Sequence, residues 1–248
     1  MSRPLAAHLV CGGRWHDIDF ARLELLKLLA EHDDVRTRVS ADFSDTEALA
    51  AADFLVTYTC DLRLVGAQEE ALAEFVRSGG RWFALHGTNS VMEFLEGPIV
   101  AAPRTHGTLM RTLGSRFVAH PPIAPFHVRN VAPDHPLVAG VDDFEAVDEL
   151  YLCEYYGENR PLLETRFTGK AIGFQEDDWP DDEARLVMYL HPEGNGEVLY
   201  LTLGHCRGPH DMRPLLDTYP VVERGAWESP VFYELLRRGL RWAKGEIR

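Results

Sequence analysis

The sequence lacks the usual marks of a nucleotide enzyme, a thiol enzyme or a membrane protein. It has no G-x-S-x-G elbow and no G-x-x-x-x-G-K-[ST] loop, and Gly12-Gly13 does not continue into G-x-G-x-x-G, so a nicotinamide or nucleotide enzyme is unsupported. Its four cysteines, Cys11, Cys60, Cys153 and Cys206, are widely spaced with no C-x-x-C pair. That spacing argues against a zinc knuckle or a disulfide framework and for reduced, packed thiols. No apolar run approaches the roughly 18 residues that span a bilayer, which excludes a membrane partner. Basic residues are scarce, 25 against 39 acidic, for a net charge of -14. A nucleic-acid partner needs a positive field and is not expected. The opening MSRPLAAHLVCGG reads as a first strand and not as a signal peptide, so a cytoplasmic setting is expected.

What is present suits one large α/β domain over residues 1–248, since 46% of the residues are hydrophobic and can fill a sizeable core. Strand-like runs at 6–11, 35–40, 53–59 and 81–85 alternate with helical periodicity from Phe20 to Leu29 and from Ala67 to Val76. That alternation predicts a mostly parallel sheet flanked by helices. The second half is richer in strands. Residues 160–175 read as two strands around Thr168-Gly169, and 184–205 as a hairpin turning at PEGNG. A last helix is expected over roughly Ser229–Lys244. Apolar surface there, or on the Pro-rich AHPPIAPF at 119–126, leaves a homo-oligomer open.

Ligands of open parallel sheets bind beyond the carboxyl ends of the strands. Four such ends are polar here. CGGRWHD brings His16 and Asp17, TCD brings Asp61, HGTNS brings His86 and Asn89, and GHCRGPHD brings His205 and His210. His86 stands where several hydrolytic folds carry a nucleophile. Imidazole transfers protons near neutral pH or ligates a metal, whereas a lone histidine is more often a satisfied core residue. Placement beside Gly87, which would let the backbone turn closely beneath a ligand, favours function at His86, and His205 is read in the same way. Asp17 is equally a good helix N-cap, and His16 could do no more than sit at that helix start. His120 is held before two prolines, by function or simply by a rigid turn. In DELYLCEYY, Asp148 or Glu149 could set a histidine tautomer or act as an acid/base carboxylate, and Tyr151, Tyr155 and Tyr156 could pack on a sugar face. A solvated acidic strand edge is the alternative.

Taken in order, CGGRWHD, GGRWFALHGTNS, GSRFVAHPP, DHPLVAGVDDF, DELY, GNGEVLYLTLGH and GLRWAKG cover nearly the whole chain and resemble the ThuA-like (trehalose utilization) family. The resemblance implies a flavodoxin-like, class I glutamine amidotransferase-like fold and a role in carbohydrate metabolism, with activity on oxidised (keto) sugars. The related amidotransferases carry a catalytic cysteine where His86 stands and a histidine near the position of His205. Imidazole does not replace a thiolate that forms a thioester, so glutamine hydrolysis is not expected. DELYLCEYYGEN also departs from the family's aromatic-Asn pattern after the glutamate, which points to a different substrate specificity.

The leading expectation is acid/base chemistry on a sugar or keto-sugar without a cysteine nucleophile, isomerase or hydrolase-like. His86 and His205 would transfer protons and Glu149 would orient an imidazole or act as a second base. His16, Asp17, Asp61, Asn89, His120 and Tyr151 would bind substrate. Two alternatives stay open. One is a divalent-metal enzyme, with zinc on His86, His120, His205 and Glu149, although no HExxH-type spacing supports it and no cofactor is firmly implied. The other is a sugar-binding module without catalysis.

Overall fold

The computed structural model describes residues 3–97 and 99–247. The chain opens with β1 (Leu5–Gly13), α1 (Ile18–Leu29), β2 (Val35–Ser40), α2 (Thr46–Ala50), β3 (Phe54–Cys60), α3 (Gly66–Arg77) and β4 (Arg81–Leu85). A 3-10 turn, His86–Asn89, leads to the short β5 (Glu93–Phe94) and β6 (Val100–Ala101), then α4 (Gly107–Leu113) and β7 (Ser115–Ala119). The strand-rich half holds β8 (Ala124–Asn130), β9 (Phe144–Asp148), β10 (Leu152–Tyr155), β11 (Arg160–Arg166), β12 (Gly169–Lys170), β13 (Asp178–Trp179), β14 (Ala184–Glu193) and β15 (Gly196–Leu201). A second 3-10 turn, Gly225–Glu228, precedes α5 (Pro230–Ala243).

Nine strands form one mixed sheet in the order β2-β1-β3-β4-β15-β14-β11-β8-β9. β2, β1, β3, β4 and β15 run parallel. From β15 outward each neighbour reverses, through β14, β11 and β8, so β9 again points the same way as β15. The carboxyl ends of β1, β3, β4, β15 and β9 therefore share one edge, and that edge positions the site.

Side chains alternate across the strands, as pleating requires. Leu9, Cys11, Val56, Tyr58, Phe83 and Leu85 join one buried cluster with Leu25 of α1 and Phe232, Leu235 and Leu236 of α5. Val10, Leu55, Trp82 and Ala84 join another with Leu49 of α2, Leu72 and Val76 of α3, and Leu109 and Met110 of α4. β3 is buried along its whole length, which explains its unbroken FLVTYTC run. Asp17 caps α1 by accepting from the Phe20 N–H at 3.1 Å.

Two expectations need correction. Residues 160–175 do not form two paired strands: β11 pairs with β14 and β8, whereas Gly169–Lys170 turns away to pair with Asp178–Trp179. The left-handed backbone of Gly169, φ 146°, leaves the expected hairpin path. The apolar face of α5 is buried in the core, so it offers no docking surface. Among the described residues no helix is long and apolar enough to cross a membrane.

α5 approaches the sheet closely because Gly239 has no side chain. A Cβ there would lie 2.3 Å from the ring of buried Phe83. Gly239→Ala is therefore expected to destabilise the protein by about 1–3 kcal/mol through overpacking, despite alanine's better helix propensity. Urea unfolding of the two proteins measures this, and equal or greater stability of the variant would refute the close packing.

Candidate functional site

The shared edge gathers histidines from three strand ends. His16 follows β1, His86 follows β4 and His205 follows β15. Their ring centroids are 4.5 Å (His16–His86), 5.3 Å (His16–His205) and 6.0 Å (His86–His205) apart. Glu149, just past β9, completes the group, and one donor atom from each of the four lies within 4.8 Å of the others. All four residues are buried.

The hydrogen bonds around the group fix which nitrogens face inward. His86 Nδ1 donates to the Thr202 carbonyl at 2.8 Å, which leaves Nε2 as a bare lone pair. That Nε2 sits 3.3 Å from the Tyr151 hydroxyl and 3.4 Å from Glu149 Oε2. His205 Nε2 pairs with Glu223 Oε2 at 2.8 Å, so its Nδ1 turns inward, 3.0 Å from Glu149 Oε1 but out of line for a hydrogen bond. His16 Nδ1 is buried and meets no hydrogen-bond partner among the described residues. Lone pairs thus converge on one point, which is stable only with a cation or protons between them.

Charge follows from these contacts. Burial, with His86 and His205 alongside, holds His16 well below the usual imidazole range, so it is neutral. Burial opposes ionisation of Glu149, but His120, His205 and His86 outweigh it and keep the carboxylate charged. Burial also opposes charge on His205, yet Glu149 and Glu223 outweigh it and lift its pKa to about 10. Burial pushes the Tyr151 phenol and the Cys60 thiol well above their usual ranges, so both keep their protons.

A buried carboxylate anchors the edge. Asp148 accepts backbone N–H groups from Glu149 (2.8 Å), Gly204 (3.0 Å), His205 (3.1 Å) and Ala226 (2.9 Å). Backbone strain collects nearby: Trp15, Asp61 and His86 have φ of 73°, 54° and 45°. Gly87 serves close packing on β3 and not a ligand, because a Cβ there would sit 2.7 Å from both Cys60 Cβ and the Thr59 carbonyl.

A cavity of about 550 Å³ opens onto the group. Trp15, Phe94, Phe117, Phe174 and Met92 make its apolar walls, and Ser90, His120, Glu149, Tyr151 and Arg207 its polar ones. Ser90 Oγ is buried without a hydrogen-bond partner among the described residues. His120 Nδ1 bonds the Pro121 carbonyl at 2.8 Å, which turns Nε2 toward Glu149 Oε1 at 3.6 Å.

The residues expected to bind substrate divide in two. His16, His120 and Tyr151 line this cavity, and His16 replaces His120 in the four-donor group. Asp17 caps α1, pairs with Arg224 at 3.1 Å and faces a neighbouring cavity. Asp61 holds the Met92 N–H at 3.1 Å, and the Asn89 amide donates to Ser115 Oγ at 2.6 Å, so neither lines the cavity. The 3-10 turn after His86 points Asn89 away from the edge. Sequence reading misses Glu223, Arg207 and Ser90. Glu223 lies in an ordinary VVERG stretch that carries no signal, whereas Trp15 stands conspicuously beside His16.

The family model for trehalose utilisation, ThuA, matches residues 9–213. No curated protein matches the chain by sequence. Among solved structures, a ThuA-like protein from Parabacteroides merdae is similar over 98% of this chain and 91% of its own, at TM-score 0.66 and 17% identity. One from Bacteroides uniformis is similar over 98% and 93%, at TM-score 0.66 and 16% identity. A GMP synthase component from Thermoplasma acidophilum is similar over 99% of both chains, at TM-score 0.51 and 10% identity, which fits a glutamine amidotransferase-like fold class. With matching motifs running from the first strand end to the loop after β15, the chain belongs to the ThuA family.

Proposed function

We propose that this ThuA-family chain, as one domain over 1–248, is a divalent-metal enzyme acting on a sugar or keto-sugar. His16, His86, His205 and Glu149 hold the ion. The observation that carries this reading is the buried, unpartnered His16 Nδ1 beside inward lone pairs on His86, His205 and Glu149. The outer nitrogens of two of these imidazoles are already held, by the Thr202 carbonyl and by Glu223, the arrangement that orients metal-ligating histidines. Ligand atoms on tetrahedral zinc lie about 3.4 Å apart, so the side chains need draw in by only about 1 Å. The family's trehalose-utilisation role and the aromatic cavity walls support a sugar as substrate.

A bound zinc ion would polarise a sugar carbonyl or lower the pKa of a bound water. The chain does the rest. Trp15, Phe94, Phe117 and Phe174 offer faces for the ring's C–H surface. Ser90 Oγ and Tyr151 can bind hydroxyls, and His120 Nε2 stands at the wall to receive or return a proton. Metal-free acid/base chemistry on His86 and His205 has one specific support: the metal-free centre holds its proton on His205 between two carboxylates.

Metal content separates the two readings. Protein reloaded with zinc and dialysed is expected to retain one equivalent by elemental analysis, and His16→Ala and His205→Ala to retain well under half of that. Glu223→Gln should weaken zinc about 10–100-fold by removing the support of His205. Zinc far below stoichiometry in the parent would return the site to metal-free acid/base chemistry. Keto-sugar turnover by His86→Ala or His205→Ala at the parent rate would sink both.

Metal-free protein should also show a pH signature. A histidine whose folded pKa is raised to about 10 stabilises the fold fully below its unfolded value near 6.5 and loses that contribution as pH climbs through 10. Melting temperatures of the metal-free parent should therefore fall from pH 7 to 10 more steeply than those of Glu149→Gln. Parallel curves would show that the pair contributes nothing.

A further inference from the structure

Trp15 and His16 are a partition as well as a wall. On their far side lies a second open cavity of about 620 Å³, whose walls include Arg14, Asp19, His210, Asp211 and Arg213. Trp15 and His16 line both cavities, and the 210–213 segment divides between them, with Met212 facing the first. Trp15 is 7% exposed, and its indole Nε1 meets no hydrogen-bond partner among the described residues. The residue is held there with a left-handed backbone at φ 73°, a conformation that persists only where surrounding structure enforces it.

We infer that the second cavity is a subsite for another sugar ring, so that the substrate is an uncharged glycoside of at least two rings spanning the Trp15–His16 partition. This rests on the proposed sugar substrate and adds its size and the residues that read it. The charges in the second cavity select the ligand. Asp17 is paired with Arg224, Asp19 with Arg22, and the Asp211 carboxylate accepts the Gly208 N–H. Arg14 and Arg213 reach no carboxylate among the described residues, and Arg213 bonds only the Asp217 carbonyl, at 3.3 Å. An anionic ligand would face three carboxylates, and a cationic ligand two free guanidiniums. A neutral ring whose hydroxyls both donate and accept suits both signs. The first cavity offers instead aromatic faces and few polar atoms, which suits one ring laid flat beside the four-donor centre.

The test is calorimetric binding to the full-length, zinc-loaded protein, with glucose, trehalose and glucose 6-phosphate as probes. Trehalose is expected to bind about tenfold tighter than glucose, the worth of one or two added hydrogen bonds. Arg14→Ala and Arg213→Ala should remove that advantage and leave glucose binding unchanged, which separates loss of the subsite from misfolding. If glucose and trehalose bind alike, or if neither variant changes the ratio, the subsite is refuted while the sugar reading stands. If glucose 6-phosphate binds tighter than trehalose and loses that margin in the variants, the cavity is an anion site and the inference falls. If no sugar binds at all, the sugar reading itself has failed and the subsite with it.

Discussion

The site depends on one buried carboxylate that touches no ligand. Asp148 ends β9, and its two oxygens take four backbone N–H groups, from the residue after it, from the loop after β15 and from the turn before α5. Hydrogen bonds to a charged acceptor are worth roughly 1.5–3 kcal/mol each, and removing the acceptor would strand the donors in the interior. These bonds tie β9 to a loop that follows a strand four places away in the sheet. They also set the path on which Glu149 and His205 face each other. Without Asp148, Glu149 would be one more acidic residue at a sheet edge.

The chain's net charge of -14 makes the composition of this centre more telling. Most acidic side chains lie at the surface, where water and counterions screen them. Glu149 is buried and charged, and burial alone would drive its proton back on. Positive charge must therefore be present in every state of the centre. In the metal-free state it resides on His205, and Arg207 adds to it from 3.7 Å. A divalent ion meets the same need more fully, because it also satisfies His16, which the proton on His205 does not reach.

Much of this edge is legible in the sequence, because parallel strands repeat a readable grammar. Apolar runs end in polar turns, and same-direction strands place those turns together. His86 and His205 stand out in that way, and their rings lie 6.0 Å apart. Their partners are harder to rank. His16 and His120 both look adjacent to the site in the sequence, and only the rotation of the CGGRWHD loop, with its strained Trp15, decides that His16 enters the four-donor group. Asn89 is misplaced by sequence reasoning because a single 3-10 turn redirects a side chain three residues on. Glu223 is invisible, since it reaches His205 through a long return of the chain that no periodicity encodes. Gly169 shows the same limit in the fold: one left-handed residue diverts a plausible hairpin into a separate small sheet.

The position of Cys60 sharpens the contrast with thiol chemistry on similar folds. It stands at the end of β3, lines the cavity and lies under Gly87, so a sulfur nucleophile is near the right place. Its environment is wrong for the task. Burial and the neighbouring Glu149 and Asp61 carboxylates all disfavour a thiolate, whereas reactive cysteines need positive surroundings. The carboxylate that would recruit a cation into the centre is the one that silences the thiol. With an imidazole at the end of β4, the same sheet edge gathers nitrogen and oxygen donors around a charge, and sulfur serves only as packing.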